Sequence, residues 1–399
     1  MPTFLVNRRG WVWCLMMVAV LSCKKDAAPG AEKSVGTAAT PTAVQLDLND
    51  PATCAACHAT IVAEFTASMH AAAHYTGDPV YAAMRTLRIQ KEGPQVAVGC
   101  DRCHSPRAAD ALQPVLAGVT CMSCHNLSDV TLTDGKRGSD VLVRGPANQL
   151  RGPHDVVAGA ATPHGTGAAL GAIVDGTTVC LACHQTETNA AGLTTCATGM
   201  EHDRTGPSCT SCHMPKVATA NGVATTRTSH RSHAFVGPHV AWQAPASGLL
   251  ASHLTIAARI DGNNLMVELH NGSGHNFPSG FPGRLAVLTM QGVDAQGAVV
   301  WQNIKTDPMR DHPDAVFNKV FVDAAGQPVL APYGVKLTRD NTLKLNETRR
   351  IVIAVPVAVV RVDLALKHWL VAPPAAKLIQ LTGALTEPRV RVTATALRR

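Results

Sequence analysis

One five-residue pattern, Cys-x-x-Cys-His, recurs along this 399-residue chain and limits its fold more than any other feature. A single copy could arise by chance, but five copies that use ten of the 13 cysteines could not. The copies are CAACH at 54–58, CDRCH at 100–104, CMSCH at 121–125, CLACH at 180–184 and CTSCH at 209–213. Whatever group these clusters hold must account for most of the cysteine chemistry of the chain.

Three kinds of site use two cysteines at this spacing: a zinc site, a redox-active dithiol and a covalently attached c-type haem. Zinc takes four ligands, often from two such pairs, so an odd number of pairs and a histidine after each pair argue against it. A thioredoxin-like dithiol occurs within a βαβ pattern, which this sequence does not show. A c-type haem uses every position, because the thiols bind the porphyrin and the adjacent imidazole ligates the iron.

The sequence therefore predicts five haem c groups, one for each cluster, as the cofactors. The cysteines that would attach them are Cys54, Cys57, Cys100, Cys103, Cys121, Cys124, Cys180, Cys183, Cys209 and Cys212. The histidines that would ligate the irons on the proximal side are His58, His104, His125, His184 and His213. Porphyrins would also add flat apolar volume to a chain with only 4% aromatic residues.

The N-terminal segment has the features of an export signal. A basic pair at 8–9 precedes an apolar run at 11–21 that is too short to span a bilayer. The run ends in VLSC, which resembles a bacterial lipobox and makes Cys23 the predicted lipidation site; an ordinary signal peptide with an incidental cysteine is the alternative. We predict a lipoprotein-type signal peptide at 1–22, a flexible tether at 23–48 and a lipid-anchored protein in the periplasm or at the outer membrane or cell surface.

The residue pattern changes after residue 242. Residues 49–242, the cluster region, carry all five clusters and are rich in Gly, Pro, Thr and His, although 64–87 has the pattern of a helix. Residues 243–399, the strand region, contain alternating segments such as 254–260 and 265–271, which a DGNN turn separates. We predict an α+β chain, in which a loop-rich, partly α-helical pentahaem cytochrome domain precedes an antiparallel β-sandwich domain.

The net charge of +7 does not predict a nucleic-acid partner. The basic residues are spread along the chain, and haem propionates would offset part of their charge. The sequence shows no G-x-S-x-G, HExxH or nucleotide-binding loop that would indicate another chemistry. The predicted partners are redox proteins that donate and accept electrons, together with a membrane that holds the N-terminal lipid.

Phrases between the clusters resemble those of multihaem c-type cytochromes of the cytochrome c554-like family, over roughly 50–285. These phrases are FTASMHA at 65–71, DPVY at 78–81, CHSP at 103–106, GVTCMSCH at 118–125, GPH at 152–154, TPHG at 162–165, CTSCHMP at 209–215, RSHAFVG at 231–237 and GHNFPSG at 274–280. The resemblance implies four distal iron ligands, which are His70, His164, His233 and His275. It marks no fifth, for which the candidates are His74, His154, His202, His230 and His239.

Three residues outside these sets raise separate questions. His74 follows His70 by four positions, which would place both on one face of a helix. Arg284 is either a partner for a haem propionate or an ordinary surface arginine. Cys196 belongs to no cluster and is predicted to be a buried free thiol.

Two possible functions differ in what occupies the sixth coordination position of each iron. A carrier closes each iron with a second strong ligand, whereas a catalytic haem leaves that position open. We predict a non-catalytic carrier that relays single electrons through mostly bis-histidine haems. The alternative is an oxidoreductase in which one open haem reduces a nitrogen oxide, an oxyanion or a peroxide. A third possibility is that the strand region docks a partner complex.

Overall fold

The computed structural model describes residues 46–156, 162–220, 222, 227–239 and 248–398. The predicted signal peptide at 1–22, Cys23 and most of the tether lie outside these residues, and so does the predicted boundary between the cluster region and the strand region. The described residues lie in one compact unit, Leu46–Arg399. None of the helices in the described ranges has the length and apolar character that a bilayer span requires.

Short helices joined by loops form the cluster region. Each cluster histidine either ends a helix or, at His58, lies at a kink where φ is −119° and ψ is 41°. The helices are α1 (Pro51–Thr66), α2 (Pro79–Glu92), α3 (Val96–His104), α4 (Pro106–Ala109), α5 (Cys121–His125), α6 (Gly171–Val174), α7 (Thr178–His184), α8 (Thr198–Glu201) and α9 (Cys209–His213). The clusters thus present their side chains from helix ends, next to loops that can approach from elsewhere.

The prediction of one helix over 64–87 is wrong. Helix α1 ends at Thr66 and α2 begins at Pro79, so His70 and His74 lie in the turns between them. The side chain of Asp78 accepts hydrogen bonds from the backbone of Val80 and Tyr81. An aspartate cap followed by proline starts a new helix, because it satisfies the free N–H groups and presets φ.

Two-stranded ladders support the loops of the cluster region. They pair β1 (Leu127–Val130) with β2 (Leu142–Arg144), β3 (Gln149–Leu150) with β4 (Gly165–Thr166), β5 (Glu187–Thr188) with β6 (Thr194–Cys196), and β7 (Lys216–Val217) with β8 (His230–Arg231). The β3–β4 pair is parallel and the others are antiparallel. The last pair carries the chain toward His233.

Antiparallel sheets form the strand region, in agreement with its alternating pattern. In spatial order, the first sheet is β17 (Thr348–Ala354), β10 (Asn264–Asn271) and β9 (Leu254–Asp261), and the second is β12 (Val299–Gln302), β11 (Leu285–Val293), β18 (Arg361–Trp369) and β19 (Arg389–Leu397), with β13 (Val316–Phe317) also on β11. The third is β15 (Pro328–Val329), β14 (Lys319–Val322) and β16 (Lys336–Asp340). The predicted β9–β10 hairpin is confirmed, with Asp261 opposite Asn264.

Short helices and 3₁₀ turns complete the described chain. The remaining α-helices are α10 (Leu249–His253), α11 (Pro308–Asp311) and α12 (Pro373–Leu378). The 3₁₀ turns are Val115–Ala117, Gly138–Val141, Pro313–Ala315, Ala331–Tyr333 and Ala384–Thr386. Helix α12 matters for the arrangement of the two regions, because Ala375 and Ala376 pack in one apolar cluster with Val80 of α2.

The main hydrophobic core lies between the first and second sheets. Inward side chains of β10, such as Leu265 and Leu269, are fully buried together with Leu288 of β11 and Leu366 of β18. The period of two in these strands puts every second residue on that side. The α+β prediction is therefore confirmed, and the large apolar core belongs to the strand region.

Candidate haem-binding site

Three cluster histidines have their imidazoles oriented by the same kind of hydrogen bond. The Nδ1 atom of His104 lies 2.8 Å from Ala73 O, and that of His125 lies 2.7 Å from Arg151 O. His213 Nδ1 makes the same contact with Val236 O. A backbone carbonyl can only accept, so Nδ1 carries the proton and Nε2 keeps its lone pair for a metal. Loops distant in sequence therefore fix both the tautomer and the direction of these rings.

Three of the predicted distal histidines lie opposite cluster histidines. The ring centres are 6.2 Å apart for His125 and His233, 6.3 Å for His213 and His275, and 6.4 Å for His70 and His184. The planes are inclined by 29°, 13° and 48°, respectively. An iron–imidazole bond of about 2 Å plus about 1 Å to the ring centre, on both sides, spans about 6 Å. Each gap is therefore wide enough for one iron between two imidazoles.

The distal rings are oriented by local backbone contacts. His233 Nδ1 lies 2.9 Å from Arg231 O, and His275 Nδ1 lies 2.8 Å from Asn276 O. These contacts leave each Nε2 for the metal, as on the proximal side. The ligand roles themselves stay predictions, but the residues present fit the group that the clusters would attach.

The rings of the His70–His184 pair are deep in the protein by one measure and uncovered by another. Burial lowers the pKa of His184 to about 4 and that of His70 to about 3, which indicates rings surrounded by protein. By surface exposure, however, His184 is exposed and His70 is half-buried. A ring deep in the protein can be both surrounded and exposed if it faces a space that protein atoms do not fill. A planar cofactor would require such a space. Exposure of such a ring therefore says nothing about access from bulk water.

Thiols from different clusters approach each other at three points. A hydrogen bond from the Cys121 thiol lowers the pKa of Cys54 to about 7. A hydrogen bond from the Cys180 thiol lowers the pKa of Cys209 to about 6. Cys103 and Cys183 form the third contact. Thioether bonds at these positions would bring pairs of attached porphyrins close together. The pairs are the haems of the first and third clusters, of the second and fourth, and of the fourth and fifth. Cys196, which was predicted to be a buried thiol, is half-buried by surface exposure, and its surroundings raise the pKa of the thiol to about 12 by burial.

The remaining distal candidates differ in what their nitrogens contact. His164 Nδ1 lies 3.2 Å from Gly165 O, and His74 Nδ1 lies 2.8 Å from Thr76 Oγ1. His202 Nε2 contacts Pro207 O. His154 is exposed. Burial lowers the pKa of His239 to about 4. Of these candidates, His239 is the one whose environment most resembles that of the paired histidines.

Both ring nitrogens of His230 lie within hydrogen-bond distance of protein oxygen atoms. Its Nδ1 lies 3.0 Å from Thr219 O, and its Nε2 lies 3.1 Å from a carboxylate oxygen of Glu64. A ring with both nitrogens engaged has no lone pair left for iron. The structure therefore argues against His230 as the fifth distal ligand.

The sequence analysis missed two residues that contact predicted iron ligands. The Glu64 carboxylate accepts a hydrogen bond of 2.8 Å from the backbone N–H of His233 and thereby positions that loop. The Tyr81 ring stacks on His104 with centres 3.7 Å apart, and its hydroxyl donates to Asp101. The sequence around Glu64 indicates a helix and nothing about this role. Tyr81, in contrast, is the last residue of DPVY at 78–81, one of the phrases that carry the resemblance.

A buried ion pair joins the cluster region to the strand region. Lys319 Nζ lies 2.9 Å from Glu201 Oε1, and the two side chains are 12% and 7% exposed. The other oxygen of Glu201 accepts a 2.6 Å hydrogen bond from Ser279 Oγ. Ser279 lies in the loop that carries His275, so this pair holds a predicted distal ligand in place.

Replacement of Lys319 by methionine should lower the free energy of unfolding by about 3–5 kcal/mol, because it leaves the buried Glu201 carboxylate without a counter-charge. The matched control is Lys344→Met, which breaks a pair with Asp340 whose side chains are 47% and 30% exposed. That change should cost at most about 1 kcal/mol. Urea titrations followed by circular dichroism measure both, and equal losses would contradict the role of the buried pair.

Comparison with known proteins finds a family and a solved structure to which this chain is similar. Residues 53–126 match the family model described as cytochrome c554 and c-prime. The crystal structure of a penta-heme cytochrome c552 from Thermochromatium tepidum matches with a TM-score of 0.71 and 25% identity, over 86% of this chain and 97% of that chain. No curated protein sequence matches.

The matched fold and residues define a c-type cytochrome with several haems. Both matches support the recognition made from the sequence: the chain is similar to multihaem c-type cytochromes of the cytochrome c554-like family. Haem c is accordingly the cofactor, and electron transfer or redox chemistry is its class of function. Bound haem supplies an iron that gains and loses single electrons, and the residues described above would attach, ligate and enclose it.

Proposed function

We propose that this protein carries five haem c groups and relays single electrons through them, with bis-histidine ligation at most irons. The observation that carries the proposal is the set of three imidazole pairs with ring centres 6.2–6.4 Å apart. Two strong ligands keep an iron six-coordinate in both oxidation states, so little rearrangement opposes electron transfer. The five clusters and the penta-heme neighbour support the haem count.

Contacts between clusters support a continuous path for electrons. The thiol contacts connect the first cluster with the third, and the fourth with both the second and the fifth. Cys124 of the third cluster acts electrostatically on Cys180 and Cys183 of the fourth. The proposed path therefore runs through the first, third, fourth and fifth haems, and the second haem joins at the fourth.

The cellular setting is a further part of the proposal. The basic pair, apolar run and VLSC ending support export and a lipid anchor at Cys23, in the periplasm or at the outer membrane or cell surface. Redox proteins that donate and accept electrons would be the partners. In the strand region, the core shared by two sheets supports a β-sandwich that acts as a scaffold for the His275 loop.

A second candidate function is favoured by one observation at the second cluster. His104 belongs to none of the three imidazole pairs described above, and the ring stacked on it is that of Tyr81. An iron with a weak or absent sixth ligand would bind and reduce a small nitrogen oxide, oxyanion or peroxide. The protein would then be an oxidoreductase that its other haems supply with electrons.

Electron paramagnetic resonance of the fully oxidised protein, with spins counted per chain, distinguishes the two functions. We expect low-spin ferric signals that account for all the iron, because two imidazoles give a strong ligand field. A high-spin signal of about one spin per chain would instead indicate an open haem and favour the oxidoreductase. Protein from a strain competent in c-type haem attachment that contains no haem would contradict both.

A further inference from the structure

We infer that Arg284 is the positively charged partner of a haem propionate at the junction of the fourth and fifth clusters, and that it raises the reduction potential of the haem it pairs with. The inference rests on the proposed haem attachment at these clusters. It assigns to the strand region a role in setting redox properties, in addition to carrying His275.

Arg284 lies where two haem sites meet. It ends the loop between β10 and β11, and the same loop contains His275. The Nη1 atom of Arg284 donates to Ser279 O, and Ser279 Oγ lies 3.0 Å from Thr198 Oγ1 and 2.6 Å from Glu201 Oε2, both on helix α8. Helix α8 lies between the fourth and fifth clusters in the chain, and it packs against the end of the fourth, where a Cβ at Gly199 would lie 2.6 Å from Gln185 Cα. The loop of Arg284 therefore lies beside the segment that joins these two clusters.

The guanidinium of Arg284 is enclosed by the protein, but not all of its N–H donors have an acceptor. Its Nη1 donates to Ser279 O, whereas no acceptor lies within hydrogen-bond distance of its buried Nε. Burial lowers the pKa of Arg284 to about 10, since charge is costly away from water. A desolvated guanidinium with a spare donor is stabilised most strongly by an anion, and its planar donors suit a carboxylate.

The carboxylates of the protein near Arg284 already have other partners. Asp78 caps helix α2, where it accepts from the backbone of Val80 and Tyr81. Glu201 is bound to Lys319 and Ser279. The remaining acidic group that acts on Arg284 is the thiol of Cys196, which burial keeps protonated by raising its pKa to about 12. None of these groups supplies a free anion, so a bound group is the source that we infer.

A propionate is the anion that the clusters themselves would bring. Each haem carries carboxylates, and thioether bonds at the fourth and fifth clusters would hold two haems next to this arginine. The turn before Arg284 also leaves room for the guanidinium, because a Cβ at Gly280 would lie 3.1 Å from Nη1. Gly280 has φ of +75°, where glycine is favoured, so the loop folds around the arginine without strain.

The expected effect on the haem follows from electrostatics. Reduction adds one negative charge to the haem, and a nearby positive charge in a poorly solvated site stabilises the reduced form. The loss of that charge should make the reduction potential more negative. A change in charge without a change in ligands alters the potential but leaves the spin state intact.

The test is a spectroelectrochemical titration of the full-length holoprotein and its Arg284→Gln, Arg284→Met and Arg284→Lys variants. We expect Gln and Met to shift the midpoint of one or two haems to more negative potential and Lys to shift it much less. Haem content and low-spin signals should not change. The control is Arg350→Gln, because the Arg350 side chain is 77% exposed and lies on β17, and this change should shift no midpoint.

Several outcomes would overturn the inference. Unchanged midpoints in the Gln and Met variants would exclude an electrostatic role. A new high-spin signal in all three variants, or loss of haem from both neutral variants, would mean that Arg284 only holds the His275 loop. Midpoints of the unmodified protein that move with added phosphate or chloride would mean that a free anion binds there. Absence of haem from the unmodified protein would contradict the proposed function itself.

Discussion

Replacement of Cys180 and Cys183 by alanine should give a protein with one covalent haem fewer per chain and an interrupted electron path. The fourth cluster is central, because its thiols contact Cys103 of the second cluster and Cys209 of the fifth. Without attachment, the haem can leave, and the proposed iron site between His70 and His184 would be empty. Pyridine haemochrome assays and intact mass spectrometry measure the loss, and stopped-flow reduction shows whether the last haem is still reached.

The matched control for this pair is Cys196→Ala. Cys196 is half-buried and pairs with Glu187, just after the fourth cluster, but it belongs to no Cys-x-x-Cys-His cluster. Its replacement should leave the haem content unchanged. Equal haem loss from both variants would mean that folding, not thioether formation, was damaged. Full haem content in the Cys180→Ala, Cys183→Ala protein would contradict covalent attachment at this cluster.

The attachment chemistry was predictable because it is local in sequence. Five adjacent residues supply two thiols and a ligand, so no knowledge of the fold is needed to recognise the cluster. Strands such as β9 and β10 were predictable for a similar reason, since alternation of polar and apolar residues is read directly from a short segment. The helix over 64–87 was predicted wrongly, because its helical pattern hid the stop-and-restart signal of Asp78 followed by Pro79.

The pairing of ligands was not predictable from local pattern. His125 and His233 meet through packing of segments far apart in the chain, and only the resemblance to a known family pointed to His233 as a ligand. The residues that position these ligands are even harder to recognise from sequence. Glu64 binds the His233 backbone from helix α1, and a glutamate in a helix has no feature that announces such a role. The sequence left two roles open for Arg284, and the unsatisfied Nε that favours one of them is a property of the folded loop.

The role of the strand region is tested most directly at His275. Replacement of His275 by alanine should convert the fifth haem from low-spin to high-spin ferric iron, with a signal of about one spin per chain. The reason is the geometry: the His275 ring lies 6.3 Å from that of His213, nearly parallel to it, and alanine has no nitrogen to replace it. Added imidazole should fill the vacated position and restore the low-spin signal.

The matched control is His270→Ala, which removes an imidazole from β10, the strand directly before the His275 loop. The Nδ1 atom of His270 lies 3.0 Å from Thr348 Oγ1 on the neighbouring strand β17, and no haem role is predicted for it. This variant should keep every iron low-spin. A His275→Ala protein that also remains fully low-spin would show that another group ligates the fifth iron. A high-spin signal confined to His275→Ala would instead mean that the strand region completes a haem site of the cluster region, so the two regions function only as one unit.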